Sequence, residues 1–424
     1  MALPLDPLYN VRDAASREYI RKGIIVDCFS THFPLWGLMR ERGAVDVLFQ
    51  GTGILNPSIY DVAFGSSTVP GATLTPQRKQ MATDSKFDIR FYQSNIPVEE
   101  TVYKIYNAPG DTQIFSQEEL DTYCLTKKLE MMMELDAWRH GQPAAGNPGG
   151  ATGVTDDRSN CMNGLDEAFN NGIDCSPFGN VYQYYGSILR NGVTGGMYNS
   201  TTYYCGTAAG AASSITYPIL QGCCAQLEVI GGRAKDGFVG PFGWGAMAVM
   251  FRTSSVTIQS EVTESSDLGW RSVNFNGLTV HSDPLAPSSV AFNYLPGGNP
   301  AAFGTTSTAK YADGVGSNTK LSSFTSPTYQ INASNVTAGT LSPTGSNIPS
   351  ATTINPGEAL YLLDPADIVL LPPKPGSGWE FDKRELPIPD NISTNNLFMK
   401  VATNVTHPQP PHGMIVFGFK GVRS

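Results

Sequence analysis

The chain has 424 residues, enough for two or three domains and a large buried core, which excludes a peptide hormone or a linker. Only 15% of the residues are charged, while glycine (44) and proline (30) are abundant, a composition of many short strands and loops in which extended structure outweighs helix. The formal net charge of −9 argues against a nonspecific nucleic-acid binder, whose affinity rests on basic residues meeting phosphates, though not against a wall that merely surrounds nucleic acid.

In chain order, residues 1 to about 30 carry a modest helical pattern around Ala14 to Arg21 with little apolar density, as in an arm that packs on something else. A turn at Pro34 leads into Leu35, Trp36, Leu38 and Met39, a short helix ending near Gly43 and feeding a strand from Val45 to Phe49. Between Gly51 and Thr83 few side chains are large, so this stretch reads as a long loop stabilised by a neighbour. Lys86 to Tyr106 is extended, with Phe87, Ile89 and Phe91 alternating and a break at Pro97.

Ser116 to His140 is the strongest secondary-structure signal. Ser116 and Glu119 form a capping box, Phe115 and Leu120 a hydrophobic staple, and Arg139, His140, Gly141 and Pro143 mark the end. Leu120, Cys124, Met131, Leu135 and Trp138 recur at helical spacing, with Leu125, Leu129 and Met132 widening the stripe. Such a rod, roughly 36 Å long, needs a broad surface to lie against.

Residues 141–160, mainly small and polar, are a connection. Pro218 to Ile230 forms a second helix stopped by Gly231-Gly232, with Leu220, Cys223, Leu227 and Ile230 as its stripe. Phe238 and Val239 read as a buried strand, Trp244 to Phe251 as a short apolar helix, and Val273 to Val280 as a hairpin turning at Asn276-Gly277. Residues 286–355 are dominated by Ser, Thr, Asn, Gly and Ala. Leu360 to Leu371 is strongly apolar, and Leu397 to Val401 and Met414 to Phe419 alternate like two strands of one sheet that ties the C-terminal stretch into the fold.

The commonest catalytic signatures are absent: no Walker A loop, dinucleotide glycine fingerprint, nucleophile elbow or H-E-x-x-H occurs. His407 and His412 could approach one metal, but they sit among prolines with no carboxylate or cysteine near in sequence. His281, Ser282 and Asp283 bring triad residue types together only as chain neighbours, whereas a triad joins residues distant in sequence. Cys28 with His32 is a formal nucleophile and base pair, set against a half-buried thiol beside a turn. Asp156 with Asp157, and Glu261, Glu264 and Asp267, could bind a cation but read as solvated acidic faces, and vicinal Cys223 and Cys224 read as small core residues of a helix. No catalytic, cofactor-binding or metal residue is assigned, and the chain is read as a protein that is not an enzyme.

The seven cysteines, odd in number and widely spread, read as reduced, buried thiols. MALPLDPLYN shows neither a basic region nor an apolar core, so no secretory signal is expected, and the five N-x-S/T matches carry no glycosylation. Asn191 to Leu227 lacks charge, yet its Gly, Ser, Thr, Asn and Pro content does not suit a membrane helix, and a soluble product made in a cytoplasm is expected.

The order of these elements, namely arm, long strand-bearing loop, extended strand, long capped helix, Gly-rich loop, helix-containing domain and then strands, resembles the tailed-bacteriophage major capsid proteins of the Hong Kong 97 type. Phe275-Asn276-Gly277-Leu278-Thr279-Val280 before Asp283-Pro284 is similar to that family's strand, turn, strand run, and Gly357-Glu358-Ala359-Leu360-Tyr361-Leu362-Leu363-Asp364 to the segment that normally follows closely. Here residues 286–355 separate the two, a departure that marks an insertion.

The resemblance implies an α+β Hong Kong 97-like capsid fold. It places an N-terminal arm and short helix at 1–48, an extended loop at 49–95, and a peripheral-domain strand and spine helix at 96–150. The axial domain then takes most of 151–285, a polar β or loop insertion 286–355, and closing strands of both domains 356–424. It further implies self-assembly as pentamers and hexamers into an icosahedral shell around double-stranded DNA, without sequence-specific DNA binding, membrane contact or cofactor. Scaffolding, portal and decoration proteins are the candidate partners, and a virion capsid built in the host bacterial cytoplasm is the place. The alternatives are an encapsulin-like compartment, another phage structural protein, or an enzyme with a dispersed site. Crosslinking is not implied: Lys79 and Lys86 flank the loop, but no partner Asn or catalytic Glu is identified.

Overall fold

The computed structural model describes residues 34–41, 48–50, 53–59, 82–99, 117–145, 154, 157–172, 176–177, 180–190, 198–206, 212–253, 264–265, 270–275, 277–287, 329–330, 353–354, 357–364, 367–371, 382–387, 394–407 and 409–421. Its elements are α1 (Pro34–Glu41), β1 (Leu48–Gln50), β2 (Gly53–Ile59), β3 (Ala82–Asp88), β4 (Arg90–Glu99), α2 (Gln117–Ala137), α3 (Leu165–Ala168), β5 (Tyr184–Tyr185), β6 (Ile188–Leu189) and β7 (Thr201–Tyr204). There follow α4 (Tyr217–Ile230), β8 (Asp236–Val239), α5 (Pro241–Thr253), β9 (Glu264–Ser265), β10 (Trp270–Phe275), β11 (Leu278–Ser282), β12 (Tyr329–Gln330) and β13 (Thr353–Ile354). The last are β14 (Glu358–Leu363), β15 (Val369–Leu371), β16 (Asp382–Pro387), β17 (Thr394–Thr406) and β18 (Met414–Phe419).

Two sheets carry the molecule. The larger has seven strands in the order β7-β18-β14-β8-β11-β10-β9. Its centre is sequence-determined: all six residues of β14 and all six of β18 are buried, as expected of strands covered on both faces. Leu220, Cys223 and Leu227 of α4 and Met247 and Phe251 of α5 pack with Leu360, Leu362, Met414 and Val416 on one face. Trp138, Phe238, Tyr361, Ile415 and Phe417 belong to the core on the other.

The smaller sheet is organised by the thirteen-residue β17, which pairs with β4 along one edge and with β16 and then β15 along the other. Alternation is clean here: Tyr92 and Ser94 are buried under α2, whereas Phe91, Gln93 and Asn95 are exposed. On that outer face the Lys400 ammonium stands 4.6 Å from the centre of the Phe91 ring.

The 21-residue α2, about 32 Å long, lies across the small sheet and ends against the large one. There the Trp138 ring meets Phe238 and Tyr361 edge to face at 5.9 and 5.0 Å, so a single helix joins both sheets into one core.

Several expectations are corrected. The long loop of 49–95 contains a hairpin: β2 and β3 pair over seven residues, with β1 as third strand. Its alternating Thr, Ser and Asp residues in β3 lack the apolar density by which a strand is recognised. Leu397 to Val401 and Met414 to Phe419 belong to different sheets, and β18 is buried on both faces rather than alternating. Leu360 to Leu371 likewise divides into β14 and β15 of different sheets. Of the stripe expected on α2, Leu125, Leu129, Met132, Leu135 and Trp138 are buried, with Met133 beside them, while Cys124 and Met131 are only half-buried. Polar burial is the reason, because Glu130, Glu134 and Asp136 are inside as well. The Asn276-Gly277 hairpin forms as read, with Phe275 opposite Leu278 and Gly277 in the left-handed region at φ 86°. The capping box at Ser116 and nearly all of 286–355 lie outside the described residues.

Candidate functional site

The chemistry-bearing residues converge where the chain leaves α2. Gly164 permits the close approach of this turn, since a Cβ there would stand 2.4 Å from the Arg139 carbonyl oxygen. The short α3 follows, with all four residues buried, Asp166 and Glu167 included.

Asp166 Oδ2 accepts hydrogen bonds from Ser176 Oγ and Tyr182 Oη, each at 2.6 Å. Glu167 accepts from the Gly141 amide (3.0 Å), Gln142 Nε2 (2.9 Å) and Asn163 Nδ2 (3.0 Å). Asp136, at the end of α2, accepts from Tyr92 Oη at 2.7 Å and forms a buried ion pair with Arg158. Burial, then the Asp136 charge, holds the Tyr92 phenol well above its usual range, so it stays a donor.

Arg190 completes the junction. Fully buried, its guanidinium donates to the carbonyls of Glu167 (2.6 Å), Ala168 (3.1 Å), Asn170 and Tyr198, closing the C-terminal end of α3. Its carbon lies 5.1 Å from the Tyr185 ring centre, and burial brings its pKa down to about 10. Donors thus surround each acid, an arrangement that fixes geometry rather than holding a carboxylate ready for proton transfer.

A polar cleft of about 720 Å³ opens beside the junction, lined among others by Lys86, Arg90, Gln142, Asn163, Glu167 and Tyr184. Arg90 donates to the Gly141 carbonyl (3.3 Å) and Gln142 Nε2 to that of Tyr184 (2.6 Å).

The residues singled out in the sequence are dispersed. His281 Nε2 meets Asp236 Oδ1 at 2.9 Å while Asp283 faces Glu134, so the triad types part. His407 is buried against the Phe169 ring (4.9 Å), and His412 Nδ1 lies 3.5 Å from Asp367. Among the described residues no group of three or more His, Cys, Asp or Glu could hold a metal ion. Cys223 is buried and Cys224 half-buried on α4, and burial pushes the Cys224 thiol up to about 11 and that of Cys223 well above its usual value. Cys124, Cys161 and Cys205 are also free thiols. Glu264 falls in β9, Asp157 Oδ1 accepts from the Ser159 amide, and Lys86 is exposed on the cleft. Cys28, His32, Lys79, Asp156, Glu261 and Asp267 lie outside the described residues.

Sequence reasoning missed Arg190, the Asp136–Arg158 pair, and a pairing of Glu134 with Asp283. The one signal for the last was an acid interrupting the apolar stripe of α2.

No family model and no curated protein matches the sequence. The fold does match solved structures: the subunit of the cyanophage A-1(L) capsid superposes with a TM-score of 0.56 at 10% identity, covering 93% of this chain and 95% of that one. The chain has the fold of a phage capsid subunit. Also similar are the capsid of a native GTA particle (TM-score 0.47, 8% identity, 96% and 99% covered) and the holo-SrpI encapsulin complex of Synechococcus elongatus PCC 7942 (0.46, 11%, 100% and 98%). A capsid fold shared at such identity follows from packing physics, because cores tolerate wide substitution when volume and polar pattern are kept.

Proposed function

We propose that this chain is the major capsid protein of a tailed phage, assembling copies of itself as pentamers and hexamers into an icosahedral shell around double-stranded DNA. The observation that carries this reading is the likeness to the cyanophage capsid subunit along 93% of this chain and 95% of that one. The fold is Hong Kong 97-like in this reading: α2 with the four-stranded sheet is the peripheral domain and the seven-stranded sheet with α4 and α5 the axial domain. The β1–β3 ribbon is the extended loop, residues 1–48 the arm, and 286–355 an insertion. Among the described residues that ribbon pairs only within itself, and its contacts with the body include the Lys86 amide on the Gly186 carbonyl (2.8 Å), Asn404 Nδ2 on the Asp88 carbonyl (2.6 Å) and Phe87 on Tyr185. A ribbon of this kind gains stability by burial against a neighbouring subunit.

The net charge of −9 suits a wall that confines DNA without gripping it. The protein is not an enzyme in this reading; scaffolding, portal and decoration proteins are its further partners, the virion capsid its place, and the host cytoplasm its site of assembly.

Light scattering on a size-exclusion column with negative-stain imaging tests the proposal. Shells or ring-shaped capsomers are expected, with nuclease-protected DNA in particles from infected cells. Particles filled with protein cargo and free of DNA would assign an encapsulin-like compartment, and a small closed oligomer at all concentrations would overturn the shell reading.

A further inference from the structure

Where the ribbon leaves the body, β3 is held at close range. The Lys86 amide donates to the Gly186 carbonyl at 2.8 Å, and a Cβ on Gly186, which sits in the left-handed region at φ 54°, would stand 2.7 Å from both Ser85 Cβ and the Phe87 ring. This wall of the polar cleft is therefore fixed before anything enters it. The volume, about 720 Å³, is that of a ligand site, for which about 300–1,000 Å³ is usual.

What the cleft lacks is an acceptor. The Glu167 carboxylate on its floor is already closed by the Gly141 amide, Gln142 Nε2 and Asn163 Nδ2. Arg90 has a single acceptor, the Gly141 carbonyl at 3.3 Å, and its Nε is buried without one. Lys86 is exposed on the rim and, like Arg90, forms no ion pair among the described residues. Beside them the β5–β6 hairpin exposes Tyr184 (44%) and its cross-strand partner Leu189 (42%). An exposed tyrosine beside a recess with unused arginine donors is the composition of a protein–protein contact.

We propose that this cleft receives an acidic segment of a second copy of the chain, with its carboxylate taken by the Arg90 guanidinium and by Lys86 at the rim; the inference rests on the reading of the chain as a self-assembling subunit. Charge argues for that occupant. A chain with 37 acidic and 28 basic residues repels its own copies unless cations stand where a neighbour's acids arrive. The planar fork of an arginine matches a carboxylate. Nucleic acid fits less well, because Asp88 and Glu167 offset Lys86 and Arg90 in the lining, so a run of phosphates finds no net attraction there.

Carbodiimide coupling of light and heavy isotope-labelled full chains, mixed in equal amounts before association and read by peptide mass spectrometry, identifies the carboxylates that lie against Lys86. In associated protein, Lys86 is expected in linked peptides that join a light chain to a heavy one. Lys86→Glu, at an exposed position, should melt as the wild type does yet need about ten times the concentration to associate at low salt, since it sets acid against acid. Assembled particles in which Lys86 is linked only within its own chain, or a Lys86→Glu chain that associates at the wild-type concentration, overturn the site and leave the shell reading standing. Mixed linkage at Lys86 in a small closed oligomer upholds the site and overturns the shell. A chain that stays single at every concentration overturns both, and Lys86→Glu particles that assemble normally but lose DNA assign the cleft to nucleic acid instead.

Discussion

Arg190 shows how a single residue fixes the junction beside α3. Its guanidinium serves four backbone carbonyls beside a helix one turn long, those of Glu167, Ala168, Asn170 and Tyr198. Lysine offers three donors on a point charge in place of a planar fork, so Arg190→Lys should leave buried carbonyls unpaired and destabilise the subunit by about 3 kcal/mol, seen as a lower urea midpoint at unchanged slope. His407 makes the opposite kind of contribution. Both ring nitrogens are buried without a partner, and burial, assisted by the His412 charge and opposed by that of Asp364, lowers its pKa to about 3. Below the unfolded value of about 6.5 the unfolded chain takes up a proton that the folded chain refuses, so stability falls as pH drops from there toward the folded value. His407→Phe, which keeps the contact with Phe169, should flatten that acid-side slope in a series of thermal melts.

At the scale of elements, α2 departs from a simple amphipathic rod. Its buried face mixes Leu125, Leu129, Met132 and Met133 with Glu134 and Asp136, and each of these two acids has amide or side-chain donors waiting on other elements. Met132→Asp should place an unpaired carboxylate among them at a cost of several kcal/mol and abolish cooperative melting, whereas Met131→Asp, at a half-buried position, should melt cooperatively only slightly below the wild type. Equal effects at the two positions would contradict this difference in burial. The position and approximate length of α2 were legible because periodicity and stop signals are local properties; that Glu134 and Asp136 share its buried face was not, because it depends on which acids find donors elsewhere in the fold.

For the whole molecule, the seven-stranded sheet closes without the insertion. β8 lies between β11 and β14, so the strands on either side of 286–355 are already neighbours through it, and β12 pairs only with β13 among the described residues. Deleting residues 290–350 is therefore expected to leave a soluble subunit with the wild-type far-ultraviolet spectrum and a cooperative melt. Loss of the cooperative transition would show that the insertion is part of the core.

The sequence by itself determined where α1, α2, α4 and α5 run, where the Asn276-Gly277 hairpin turns, and that Leu360 and Met414 begin core strands, because caps, turns and apolar runs act over a few residues. Only the tertiary structure decided that neighbouring apolar runs enter different sheets, that a run of Thr, Ser and Asp residues becomes β3, and that Arg190, Asp136 and the Glu134–Asp283 pair are buried. Strand partners and the donors of buried charges come from residues far apart in the chain, and no local pattern in a single sequence encodes that distance.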